Sequence, residues 1–102
     1  MNKSEQEILE NLEQSYADFI VPLRMGEGLK EEAFDKFCEV LVECRSLWRN
    51  QERIPKLAVN IFVDAYIAFL GASEQYQSLE ADKFEIQADK MQDLIRSCIE
   101  VE

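Results

Sequence analysis

The chain has 102 residues, 47% apolar and 31% charged, with 21 Asp and Glu against 11 Lys and Arg and no His. That length supports one domain around one core, and the apolar fraction excludes disorder. A net charge of −10 excludes general nucleic-acid binding, which needs clustered Lys and Arg, and disfavours an anionic membrane surface. It fits solubility alone or a basic protein partner met by electrostatic steering.

Three glycines and two prolines leave few turns, so the elements are few and long, which favours helices. Ser4-Glu5-Gln6-Glu7 is a capping box, with the Ser4 hydroxyl serving the Glu7 amide and the Glu7 carboxylate reaching back. The first helix, about 4–21, places Ile8, Leu12, Tyr16 and Phe19 on one face, with Leu9 and Ile20 beside them. Pro22 is expected to stop it, and Leu23 to Gly28 reads as a turn with two glycines.

The second helix is expected over about 29–49. Phe34, Phe37, Leu41, Cys44 and Trp48 form its inward stripe at 3- and 4-residue steps. Glu31, Glu32, Asp35, Glu39 and Glu43 cover the outside. Pro55 suits the first turn of the third helix, about 55–76.

That helix contains the most apolar stretch of the chain, Leu57 to Leu70, interrupted only by Asn60 and Asp64. Lys56, Asn60 and Asp64 recur at i, i+4, i+8, one narrow stripe of an α-helix. The run is too long and too evenly apolar for a strand. It is also too short and too polar to span a bilayer. Phe62, Phe69, Ala58, Ala65 and Tyr66 are expected on the core face. Ala58, Ala65 and Ala72 make a seven-residue track that permits close helix approach. Asp82-Lys83-Phe84-Glu85 offers a second N-cap signature. The last helix, about 82–100, carries Phe84, Ala88, Met91, Ile95 and Cys98 as an a/d seam, widened by Leu94 and Ile99. Together these predict an all-α, antiparallel up-down-up-down four-helix bundle as one domain over 1–102.

The chemistry is bounded mainly by what is missing. Without histidine the chain has no Ser-His or Cys-His pair and no Glu-x-x-His di-iron site. It has no Cys-x-x-Cys, glycine-rich phosphate loop or dinucleotide fingerprint. No enzyme, catalytic residue or cofactor is expected. Carboxylates at i, i+4 spacing (Glu27/Glu31, Glu39/Glu43, Glu85/Asp89/Asp93) read as solvated faces. A hard-cation site built from two such helices is the third alternative.

The opening MNKSEQEILENLEQ has no apolar signal region. The odd cysteine count then reads as reduced thiols in the cytoplasm. Cys44 and Cys98 are placed in the core, and Cys38 nearer the edge of its helix. Asp64 is either exposed or, if buried, satisfied by Arg45, Arg49 or Lys56.

Two features point to a protein interface. The stretch Arg45 to Lys56 carries Arg45, Arg49, Arg53 and Lys56 against Glu52, a net +3 that leaves −13 on the remainder. With Trp48 it has the composition of a hot spot, although helix-dipole compensation plus a core Trp explains it as well. On the third helix, Val59, Val63 and Leu70 flank the polar stripe and Ile67 lies within it. Three companion helices cannot cover a helix so apolar all round, so part of it is expected to meet a protein partner or a second copy.

The layout resembles that of small cytoplasmic immunity proteins of bacteriocin producers, which are four-helix bundles of about this length. The resembling stretches are Ile54-Pro55-Lys56 followed by Leu57 and Ile61, and Met91-Gln92-Asp93-Leu94-Ile95. The resemblance implies a toxin-neutralising protein that acts by occluding its partner, and it carries over no individual site residue. The functional expectation is a non-enzymatic protein-binding module contacting its partner through Arg45, Trp48, Arg49, Arg53, Val59, Val63, Ile67 and Leu70. A homo-oligomeric structural or regulatory protein is the alternative.

Overall fold

The computed structural model describes the backbone of residues 4–75 and 81–100, and the side chains of these except 70, 72–75 and 81–83. They fold into α1 (Glu5–Arg24), α2 (Glu31–Trp48), α3 (Lys56–Gln75) and α4 (Ala81–Ile99), an all-α four-helix bundle. The expected places of Leu70, Ala72 and Tyr76 lie outside the described side chains or residues. Helix α4 begins at Ala81, so Asp82 falls inside its first turn and not at the cap.

Ser4 opens α1 with extended backbone, and its hydroxyl accepts the Glu7 N–H at 3.1 Å. Pro22 does not stop α1, contrary to the expectation from sequence; the helix continues to Arg24. A proline removes one N–H and crowds the carbonyl four residues back, a penalty that is tolerated within a final turn. The end is set instead by Gly26 at φ +82°. The Gly26 N–H donates to the Leu23 carbonyl at 3.2 Å and the Glu27 N–H to the Pro22 carbonyl at 2.9 Å. This pair of bonds, closed by a left-handed glycine, satisfies carbonyls the helix leaves open.

Consecutive helices alternate in direction. Trp48 at the end of α2 reaches Glu5 at the start of α1. Phe34 and Trp48 of α2 meet Phe69 and Phe62 of α3, and Phe69 in turn meets Phe84 of α4. The helices that lie side by side are α1 with α2, α2 with α4, α4 with α3, and α3 with α1. Helices α2 and α3 therefore face each other across the diagonal, and the neighbours α1/α3 and α2/α4 run parallel. Neighbouring axes sit about 9 Å apart, so the diagonal is about 13 Å. Residues 49–55, which link α2 to α3, reach about 23 Å when extended and cross it easily.

Phe19 sits at the centre of the core, 4.9 Å from Phe37, 5.5 Å from Phe34 and 5.9 Å from Phe69 by ring centroid. Edge-to-face and tilted rings at such distances add attraction beyond area burial. The inward stripe of α2 is buried as expected, and so are Val40 and Cys38, which the helix-edge reading left partly exposed. On α3 the core face is Ala58, Ile61, Phe62, Ala65 and Phe69. Tyr66, expected there, is exposed, and so is Ile99 of α4. Both sit on the shoulder of their stripe, at the outer edge of the α3–α4 contact.

Candidate interaction surface

The inward residues of α3 face the centre, while α1 and α4 cover its two sides. Its remaining face points to solvent and is largely apolar, with Lys56 and Asn60 the polar residues toward its start. Val63 is 53% exposed, Ile67 59% and Tyr66 41%, with Val59 and Leu57 similarly open. Beside them, Val59, Phe62, Val63 and Tyr66 of α3 join Ile95 and Ile99 of α4 to line a hollow of about 260 Å³. Gln92 and Arg96 form its polar edge. The hollow is shallow and open, and its lining is mostly apolar. Adjoining hollows continue it, one along Lys56, Leu57, Val59, Asn60 and Val63, the other along Asp93, Arg96, Ser97, Ile99 and Glu100. Shared lining residues make the three one strip along α3 and α4.

The structure divides the residues expected to contact a partner. Val59 and Val63 line this strip, and Ile67 is exposed one turn beyond Val63; Leu70 is outside the described side chains. Trp48 is not a surface contact. It is 1% exposed, stacks edgewise near Phe62, and donates its indole N–H to Glu5 Oε2 at 3.0 Å. A buried indole needs such an acceptor, which the acidic first turn of α1 supplies.

Arg45 is half-buried, and Arg49 and Arg53 are exposed at the bundle end. Arg49 Nη2 pairs with Glu100 Oε2 at 3.2 Å, and the Asn50 N–H donates to the Glu100 carbonyl at 3.0 Å. The basic end thus fastens the last turn of α4 to the end of α2. Of the basic stretch, Lys56 lines the strip and Arg49 borders it through Glu100. Tyr66, Ile95, Arg96 and Ile99 were missed, because α4 reads as one narrow seam and its outer shoulder becomes visible only once α3 is packed beside it.

Asp64 lies on the opposite side of α3, toward α1. It accepts a hydrogen bond from the Tyr16 hydroxyl and another from Arg24 Nη2 at 3.0 Å. Its partners are therefore on α1, and not Arg45, Arg49 or Lys56. Continuation of α1 past Pro22 brings Arg24 into reach. The Tyr16 bond and then Arg24 hold the Asp64 carboxyl below the usual range, while burial and the nearby carboxylate push the Tyr16 phenol up. The pair stays phenol plus carboxylate at neutral pH.

All three thiols are free and buried. Burial pushes Cys38 up to about 11 and Cys98 up to about 12, and Cys44 in the same direction. Cys98 donates to the Leu41 carbonyl at 3.3 Å. Protonated, enclosed thiols are packing groups and not nucleophiles. Among the described residues, no group of three or more Cys, Asp or Glu could hold a metal ion. No described helix is long and apolar enough to cross a membrane.

Comparison of the chain with protein-family models, with curated proteins and with solved structures yields no match.

Proposed function

We propose that this protein is a non-enzymatic helical binding module that docks a protein partner on the α3–α4 face. The observation that carries the reading is the strip of exposed Val59, Val63, Tyr66 and Ile67 beside Ile95 and Ile99. Contiguous apolar surface of this kind on a soluble bundle marks an interaction site. Amphipathic helices bind such grooves through side chains at i, i+3, i+4 and i+7. In the toxin-neutralising form implied by the resemblance in layout, the docked partner is held inactive by occlusion.

The test uses a photo-crosslinking amino acid placed at Val63 in the producing cell, with the same group at Val21 as control. Val21 is equally exposed but lies on α1. Adducts from position 63 well above those from position 21 are expected. Equal or absent adducts overturn the reading.

A further inference from the structure

We infer that the occupant of this face is a second copy of the same chain, with α3 of one protomer laid along α3 of its partner. This rests on the docking role argued above and names the partner. Two properties of α3 select it.

The first is spacing. Val59, Val63 and Tyr66 stand exposed at steps of four and three, and the sequence carries the row on to Leu70. That is the a/d repeat with which two helices set knobs into each other's holes. The inward row Ala58, Phe62, Ala65 and Phe69 has the same period. Helix α3 therefore carries two seams, one filled by its own bundle and one facing water. An identical helix presents a matching seam, as a two-fold contact requires.

The second is charge. Two chains of net charge −10 repel wherever their acidic faces meet. Helix α1 exposes Glu7, Glu10, Glu13 and Asp18; α2 exposes Glu31, Glu32, Asp35 and Glu39; α4 exposes Glu85, Asp89 and Asp93. Between Lys56 and Gly71 the only acid is Asp64, and it is turned toward α1 and bonded to Arg24. Among the described side chains, the outward face of α3 is thus the helical face that presents no acid to its own image. A strongly basic partner is drawn instead to the acidic faces of the other helices. The flanking edge of α4 carries both signs, Arg96 beside Asp93 and Glu100, so a two-fold rotation can set base against acid.

Sedimentation equilibrium of the full chain, from low micromolar to submillimolar concentration, tests this. The average mass is expected to rise from one chain to two. Val63→Asp is expected to hold it at one chain throughout, while Val21→Asp dimerises like the parent. A mixed sample of isotope-labelled and unlabelled parent chains gives a second measurement that needs no variant. Contacts between protomers from the Val59 and Val63 methyls are expected, and their absence overturns the proposal. A parent chain that stays single overturns it too, as does a Val63→Asp variant that dimerises like the parent. If the parent stays single while position 63 still crosslinks to other proteins in the cell, the second copy is refuted and the docking reading survives. If position 63 crosslinks to nothing, the docking reading falls as well.

Discussion

On the α1–α2 side of the bundle, Phe19 is enclosed by Tyr16, Phe34 and Phe37, and the outward positions are acidic. On the α3–α4 side, Phe62 is covered from within while Val59, Val63, Tyr66 and Ile67 stand in water above it. The first pattern is that of a helix pair whose apolar residues mostly serve the core, with Val21 and Val42 exposed. The second retains apolar groups that the isolated fold leaves about half exposed. The difference sets a side filled with aromatic rings and covered by acids against a side that keeps apolar groups in water.

The comparison breaks most readily at its strongest point. Phe19→Ala is expected to destabilise the fold by about 3–5 kcal/mol, since it opens a cavity among four aromatic neighbours. Denaturant unfolding followed by fluorescence of the single Trp measures this, and a loss under about 1 kcal/mol would remove the aromatic half from its central role.

Alkaline titration probes the buried thiols of α2 and α4. The folded-state values of Cys38, Cys44 and Cys98 are raised. Their contribution is therefore complete below the unfolded thiol value of about 8.5 and is lost as pH climbs toward the folded values. Each thiol removes up to about 1.4 kcal/mol per pH unit in that window. The melting temperature is expected to fall steadily above about pH 8.5, and less steeply in Cys44→Ala.

Smaller effects sharpen the boundary between the halves. Tyr16→Phe and Asp64→Asn are each expected to cost about 1 kcal/mol, because the pair is partly solvated, and their double variant less than the sum. The folded-state value of Asp64 is lowered. Its contribution is therefore present above the unfolded value of about 3.9 and is lost as pH falls through the folded value. Tyr16→Phe is expected to lessen that acid loss, as read by melting temperature against pH. Smallest of all, Val63→Asp is expected to change monomer stability by no more than about 0.5 kcal/mol, whatever it does to association. A large loss on denaturant unfolding would place Val63 in the core and erase the distinction.

Much of this was legible in the sequence because periodicity reports burial directly. Phe34, Phe37, Leu41, Cys44 and Trp48 recur at helical steps and are buried together, and Ser4 caps the helix it was expected to cap. The failures share a cause, since each depends on a contact distant in sequence. Asp64 finds Tyr16 and Arg24 more than a helix length away, and no local pattern encodes that meeting. Tyr66 was assigned inward because α3 is apolar on most sides, which leaves its rotation about the helix axis poorly determined by sequence. The outer shoulder of α4 became part of the surface only through its neighbour. Pro22 was given more weight than a proline in a last turn carries.

The diagonal step from α2 to α3 has a practical consequence for engineering. Helix α1 starts, α2 stops, α3 starts and α4 stops at one pole, where Glu5 meets Trp48 and Asn50 meets Glu100. Residues 4 and 100 therefore lie at the same pole, on helices that face each other across the second diagonal, about 13 Å apart by axis. A permuted chain joined there by a short linker and reopened within 25–30, at the opposite pole, would retain every helix pair. A carrier fused at that new opening would stand clear of the Arg49 pole.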